Sequence, residues 1–320
     1  MLTVQILLRN NRETIGRTLD SVSGLGKIMI GNLESNDGSL EVCSSYDVDI
    51  VDVGKKRDFS LIRNGLAGEG LNFYLEAWEF LARGREEITS ADGGRQACVI
   101  SGGMASKETR IWQGKNGFAN PVYETIIDQS ASYDPRIVIV SGDAPNLGPE
   151  RRELVKKWLE SRPTACEPYY YMACSCLYER KYEDFFFYAR KYLAMERNPG
   201  VESVLLCYHM AQIELHTGRL NDASSHILFC LSVRPMMAEF WCLLGDMFYK
   251  QNKFGKARSI YENAIIIGKS RKNSDSYPVE ISKYKEYPAK MINNIDEISE
   301  DMLKRMEKAK ANTIGELPTP

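Results

Sequence analysis

Along the first 75 residues, apolar positions fall into short β-branched runs separated by amphipathic segments. Thr3–Leu8, Lys27–Ile30, Val48–Val53 and Leu71–Leu75 read as strands. Between them Glu13–Val22, with Ile15, Leu19 and Val22 on one face, Ser39–Ser45 and Phe59–Leu66 read as helices. Strand and helix in strict succession imply right-handed crossovers and a mostly parallel, Rossmann-like sheet with helices on both faces. Beyond residue 76 the pattern loosens. Ala97–Ser101, Glu108–Trp112, Val122–Ile126 and Arg136–Val140 are further strand candidates, separated by Gly-rich turns such as Asp92-Gly-Gly94 and Ser101-Gly-Gly103. These are expected to extend the sheet and to form loops around a cleft, giving an α/β domain over residues 1–147.

From Gly148 the pattern becomes helical. Lys181-Tyr182-Glu-Asp-Phe185, Arg219-Leu220-Asn-Asp-Ala223 and Lys253-Phe254-Gly-Lys-Ala257 recur at intervals of 38 and 34 residues. An aromatic-rich helix precedes each (Tyr169–Tyr178, Val204–Leu215, Phe240–Tyr249) and another follows (Phe185–Leu193, Ala223–Val233, Ala257–Ile266). This spacing resembles the tetratricopeptide repeat, which implies an all-α repeat domain over 148–267 whose concave surface holds a peptide. Residues 268–320 read as a linker and a terminal helix, Ile298–Ala311. Ile298, Met302, Leu303 and Met306 share one side of that helix, to pack on the repeats or on a second copy in a homodimer.

Forty-one Lys and Arg against 43 Asp and Glu among 320 residues leave no global field for nucleic acid or membrane. The charge is uneven, however. Residues 1–150 carry 15 basic and 21 acidic side chains, whereas 250–290 carry ten basic and four acidic ones interleaved with Tyr261, Tyr277, Tyr284 and Tyr287. Such a stretch either tracks phosphates and stacks bases or is a solvated face. No apolar run reaches the length of a membrane span, and the eight cysteines lack metal-site spacing, so a cytoplasmic protein with reduced packing cysteines is expected.

Three clusters at the carboxyl ends of the expected parallel strands carry candidate chemistry, because open α/β sheets bind ligands at that edge. Arg9-Asn10-Asn11-Arg12-Glu13 opens the first helix, where free amides suit a phosphate or a base carbonyl, although either asparagine equally suits a helix cap. Asn32 to Ser39, with Asp37, is a turn-rich loop of oxygen acceptors. Asp58-Phe59-Ser60-Leu-Ile-Arg63-Asn64 opens a helix and is followed, after the fourth strand, by Glu76-Ala77-Trp78-Glu79.

In this order and spacing the clusters resemble family-2 glycosyltransferases of the GT-A fold, in particular those with C-terminal tetratricopeptide repeats. The resemblance rests on Arg9–Arg12, Ile15-Gly16-Arg17-Thr18-Leu19, Asn32 with Glu34-Ser35-Asn36-Asp37-Gly38-Ser39, the intact Asp58–Asn64 signature and Tyr123-Glu124. It implies sugar transfer from a nucleotide-diphosphate donor, a UDP-sugar by expectation, to a macromolecular acceptor. Peptide or protein is favoured, and a hydroxymethylated DNA base is the rival. Arg9, Asn10, Asn11, Glu13, Asn32, Asp37, Arg63, Asn64 and Glu76 would then bind the donor. Glu124 would be the general base, with Asp143 as second choice. The family's Asp-x-Asp metal motif reads Glu76-Ala77-Trp78 here, so Mg²⁺ or Mn²⁺ would fall to Glu76 and Glu79, and Lys55, Lys56, Arg57 and Arg63 offer alternative charge for the leaving diphosphate. That departure also fits a catalytically degenerate chain serving as a repeat-based binding scaffold.

Overall fold

The computed structural model describes residues 1–54, 58–126, 128, 130–142, 148–270 and 279–315, with the side chains of 148–149 and 306–315 excepted. The chain divides into two compact units, Met1–Arg197 with Ser274–Val279, and Asn198–Asn273 with Glu280–Pro320. Sheet gives way to helix at Gly148, whereas the division between units falls after Arg197, so the first three helices beyond the sheet belong with it.

In the first unit β1 (Thr3–Leu8), α1 (Arg12–Val22), β2 (Lys27–Asn32), α2 (Ser39–Cys43), β3 (Asp49–Asp52), α3 (Phe59–Leu66) and β4 (Leu71–Glu76) follow one another as the periodicity predicts. They are followed by β5 (Glu79–Arg83), α4 (Arg85–Thr89), β6 (Arg95–Ser101), β7 (Met104–Gln113), β8 (Phe118–Ala119), β9 (Thr125–Ile126) and β10 (Ser132–Ser141). The main sheet runs β3-β2-β1-β4-β7-β6-β10-β5. Its β3-β2-β1-β4 half is parallel, but β7 is antiparallel to both β4 and β6, and β5 is antiparallel to β10. The sheet is therefore mixed rather than mostly parallel. The reason lies in Gly102 and Gly103, both at positive φ between the paired Ser101 and Met104. A two-residue turn with two left-handed positions is the tight hairpin connection, so the expected Gly-rich turn reverses the chain into an antiparallel pair.

β1 is buried along its whole length, as a strand with neighbours on both sides and helices on both faces must be. Val4, Ile6 and Leu8 face Ile15, Leu19 and Val22 of α1, while Leu7 points to the other face with Leu33, Val53 and the α3 residues Ile62 and Leu66. Side-chain alternation thus places α1 and α3 on opposite faces of the sheet. Each of these fully buried aliphatics contributes about 1.5–3 kcal/mol of transfer free energy.

The first unit continues with α5 (Gly148–Ser161), α6 (Glu167–Tyr178) and α7 (Tyr182–Met195). The second holds α8 (Val201–His216), α9 (Leu220–Val233), α10 (Ala238–Lys250), α11 (Phe254–Ser270) and α12 (Glu286–Gly315). Tyr182, Leu220 and Phe254, the residues that mark the sequence period, are the first residues of α7, α9 and α11. Two positions before each stands a left-handed residue, Arg180, Gly218 and Asn252. The next amide donates back to the carbonyl five residues earlier: Lys181 to Cys176, Arg219 to Glu214 and Lys253 to Phe248, at 2.8, 2.8 and 3.0 Å. This bond closes the preceding helix in the same way three times. Three residues into each second helix, Phe185, Ala223 and Ala257 are fully buried. The helix pairs α6–α7, α8–α9 and α10–α11 are therefore repeats of one hairpin with tetratricopeptide-like spacing.

Close packing within one hairpin depends on Gly245 of α10, where a β-carbon would lie 2.6 Å from the ring of the fully buried Tyr261. Gly245→Ala is expected to lower the stability of the second unit by about 1–3 kcal/mol, measurable in thermal melts, because an overpacked ring has no free rotamer. α12 begins twelve residues before the expected start and packs Met291, Ile292 and Ile295, not the Met302 side, against α11 residues. Met302 and Leu303 are exposed, and the Met306 side chain lies outside the described residues. None of the eight cysteines is in a disulfide, and burial pushes the Cys207 thiol up to about 12, in keeping with packing roles. Among the described residues no helix is long and apolar enough to cross a membrane.

Candidate functional site

A solvent-open cleft lies in the first unit at the carboxyl ends of the parallel strands. Leu7, Arg9 and Asn11 reach it from the end of β1, Leu33 from the end of β2, and Glu76 and Trp78 from the end of β4. Phe59 of α3, Glu124, and Glu150, Arg151 and Leu154 of α5 complete it. β1 has β2 on one side and β4 on the other, with α1 and α3 on opposite faces. The cleft therefore sits where the winding direction reverses, the general ligand position of open α/β sheets.

Its floor is an ion triad. Arg63 is completely buried, donates from Nε to Glu124 Oε1 at 2.7 Å and from Nη2 to Glu76 Oε1 at 2.5 Å. The guanidinium lies over the rings of Tyr74 and Phe118, 4.7 and 5.4 Å from their centroids. Burial works against its charge, but the two carboxylates more than restore it, so Arg63 stays ionised. One guanidinium thus serves two carboxylates that face the same cleft.

Local bonds fix these side chains in place. Asp58 caps α3 by accepting from Leu61 N at 3.0 Å, which sets the helix that carries Arg63. The Asn64 amide pairs with both backbone groups of Phe118, at 3.0 and 2.9 Å, and Phe59 N donates to Pro121 O, so the segment leading to Glu124 is tied to α3. Asn120 and Tyr123 adopt left-handed backbone there, and for that reason residues 122–124 are not the strand their apolar pattern predicts. The Ala77 carbonyl accepts from Thr14 and Thr18 of α1 at 2.8 and 3.1 Å, which holds the Glu76–Trp78 turn.

The residues expected at the site have several fates. Arg9, Asn11, Glu76 and Glu124 line the cleft, and Arg63 lies beneath it. Asn10 is exposed, and its side chain accepts from Asn36 N, while Asn32 accepts from Ser35 N. Both brace the loop after β2. Asp37 accepts from Arg12 N and from the Ser39 amide and hydroxyl; burial raises its carboxyl, but these bonds outweigh that and hold it below the usual range. The first amide of α1, that of Arg12, expected to meet a phosphate, is therefore met by Asp37 instead. Glu13 is exposed and lines no part of the cleft, and Asn64 is spent on Phe118. Asp143 and Lys55, Lys56 and Arg57 lie outside the described residues.

The metal expectation fails on its donors. Both Glu79 oxygens accept from Arg110, at 2.7 and 2.9 Å, and one also accepts from Glu76 N. Glu79 is 4% exposed, a buried partner rather than a ligand. Glu76 is bound to Arg63, Trp78 brings an indole, and Tyr123 stacks on Tyr171 with its hydroxyl 3.2 Å from Ser175 Oγ. Among the described residues no three His, Cys, Asp or Glu side chains form a metal site, and those present do not fit Mg²⁺ or Mn²⁺. Arg110 and Arg151 were missed by sequence reasoning. Arg110 follows Lys107 and Glu108 in a mixed β7 run, and Arg151 stands in a charged helix start, so neither gave a signal.

The floor also predicts a pH dependence. Burial pushes the Glu76 carboxyl up, Arg63 pulls it down, Glu124 and Glu79 push it up again, and the net direction is upward. The folded state therefore holds the Glu76 proton to higher pH than the unfolded chain. That contribution to stability is full below about pH 4.3 and is lost as pH rises through the folded value. Melting wild type and Glu76→Gln between about pH 4 and pH 8 checks this: the decline with rising pH in that interval is expected to be shallower in the variant.

In the second unit, the faces of α8 and α10 are engaged by the chain itself. Tyr208 donates to Glu280 at 2.5 Å, Glu239 accepts from Glu280 N and from the Tyr284 hydroxyl at 2.8 and 2.9 Å, and Asp246 accepts from Tyr261 and Tyr287 at 2.5 and 2.6 Å. Lys283 sits 3.3 Å over the Tyr287 ring. Three of the tyrosines that suggested base stacking are thus bound to carboxylates, and Tyr277 lies outside the described residues.

No family model and no curated protein matches the chain. Among solved structures it is similar to MamA 41-end from Desulfovibrio magneticus RS-1, with 16% identity and a TM-score of 0.38 over 52% of this chain and 88% of that one. It is also similar to PilF of Pseudomonas aeruginosa, with 13% identity and a TM-score of 0.37 over 54% and 70%. A third is YrrB, described as a TPR protein with an unusual peptide-binding site, with 14% identity and a TM-score of 0.34 over 52% and 84%. The three recurring hairpin turns define a helical-repeat class in this chain directly. The molecule is a mixed-sheet α/β fold with a strand-end cleft, followed by tetratricopeptide-like hairpins.

Proposed function

We propose that the chain is a glycosyltransferase that takes a sugar from a nucleoside-diphosphate donor in the cleft and passes it to a macromolecular acceptor. One observation carries this reading. Arg9, Asn11, Glu76 and Glu124, drawn from three separate motifs of the resemblance, line a single cleft at the switch point of the sheet. Asn11, Leu33 and Phe59 offer an amide and apolar walls to a base and ribose, and Glu124, ion-paired on the floor of the cleft, is the group assigned to take the acceptor's proton. A UDP-sugar donor and a peptide or protein acceptor remain the preferred chemistry. The α8 and α10 faces already engage residues 280–287, so an acceptor bound there would have to displace them.

A second reading is favoured by the same floor. Arg63 engages both carboxylates, the state expected of a cleft that binds a ligand without turning it over and leaves the repeats to work as a scaffold. Incubating the protein with a panel of nucleotide sugars and measuring released nucleoside diphosphate separates the two. Slow donor-selective release supports the transferase; selective stabilisation without release, which for a ligand at 100 times its dissociation constant reaches about 2.7 kcal/mol, supports the binding module.

A further inference from the structure

We propose that the donor's diphosphate is held by the guanidinium groups of Arg151 and Arg9 rather than by a divalent cation. The inference rests on the transferase reading and adds to it how charge is met in the cleft. Departure of a nucleoside diphosphate needs positive charge beside the oxygen that leaves, whether from a metal or from oriented cations. Among the described residues the carboxylates expected to hold a metal are engaged elsewhere. Trp78 stands where a carboxylate would be needed, Glu79 is bound by Arg110, and Glu76 is bound by Arg63. Arg63 cannot serve either, because it is buried between its two carboxylates and lines no part of the cleft.

Two arginines do line it. Arg151, in the first turn of α5, lies 5.1 Å over the ring of Tyr123, which is next to Glu124 in sequence, and lines the cleft with Glu76 and Glu124. Arg9, at the end of β1, is paired with Glu150, the residue next to Arg151, and both members of that pair line the cleft about one-third exposed. An incoming diphosphate can replace Glu150 as the Arg9 partner, and a planar guanidinium fork suits two phosphate oxygens. In the transfer, the bond between the anomeric carbon and the diphosphate oxygen breaks and its electron pair leaves with that oxygen. The acceptor oxygen bonds to the same carbon and gives its proton to Glu124. The diphosphate gains one negative charge, which Arg151 and Arg9 receive.

Calorimetric titration of the full chain with UDP, GDP and dTDP, each in EDTA and in Mn²⁺, tests this. The expected result is binding of one diphosphate with the same affinity in both conditions, weakened about tenfold or more in Arg151→Gln and less in Arg151→Lys. The corresponding nucleoside without phosphates should bind wild type and Arg151→Gln equally, a result that a merely collapsed cleft would not give. Binding that needs Mn²⁺, or that is indifferent to Arg151→Gln, overturns the arginine assignment and leaves the transferase reading standing. Failure of every diphosphate to bind in either condition overturns both.

Discussion

Arg63→Leu is expected to cost the first unit about 3–5 kcal/mol at neutral pH, the usual result of removing one partner from a buried ion pair. At about 2–4 °C per kcal/mol for a unit of this size, the melting midpoint should fall by about 6–20 °C. The effect is large because two carboxylates lose their counter-ion together, with side chains only 19% and 12% exposed at Glu76 and Glu124. Two further measurements separate charge from packing. Acidification should recover part of the loss, since protonated carboxyls need no cation. Adding Glu76→Gln and Glu124→Gln to Arg63→Leu should do the same at neutral pH. A midpoint within a degree or two of wild type would mean that the triad does not organise the cleft floor.

Glu124→Gln is expected to lower the transfer rate by about 10²–10⁴-fold, the span of a lost general base, with donor affinity nearly unchanged. The amide keeps an oxygen for Arg63 Nε, so the floor geometry survives while proton removal does not. Rate and dissociation constant read together make the test specific. A fall in both would mark Glu124 as a structural member of the triad, and an unchanged rate would move proton transfer to another group.

Much of the fold was legible because its signals are local. β1 and α3 lie at their expected residues, and the residues marking the repeat period begin α7, α9 and α11, since a left-handed C-terminal turn at fixed spacing leaves a sequence trace. What was not legible depends on partners distant in sequence. β5 begins with a glutamate, which breaks an apolar pattern until Arg110, 31 residues on, neutralises it. Gly102-Gly103 reads equally as a loop or as a hairpin, and only the pairing of Ser101 with Met104 decides. The site shows the same contrast. The Asp58–Asn64 motif located Arg63, yet its two carboxylate partners lie 13 and 61 residues away, and they turn a presumed phosphate ligand into the cleft floor. Asn10, Asn32, Asp37 and Asn64 have polar side chains suited to ligands, and backbone amides and carbonyls claimed them first.

The central claim is that a nucleotide sugar occupies the cleft at the ends of β1 and β4. Hydrogen exchange of the full chain, measured by mass spectrometry with and without UDP-glucose, UDP-N-acetylglucosamine and GDP-mannose in turn, tests it most directly. With the donor that binds, slowed exchange is expected in peptides containing Arg9–Asn11, Phe59, Glu76–Trp78 and Arg151–Leu154, and unchanged exchange in α9 and α11. Protection confined to the helices of the second unit, or no protection from any donor, would contradict it.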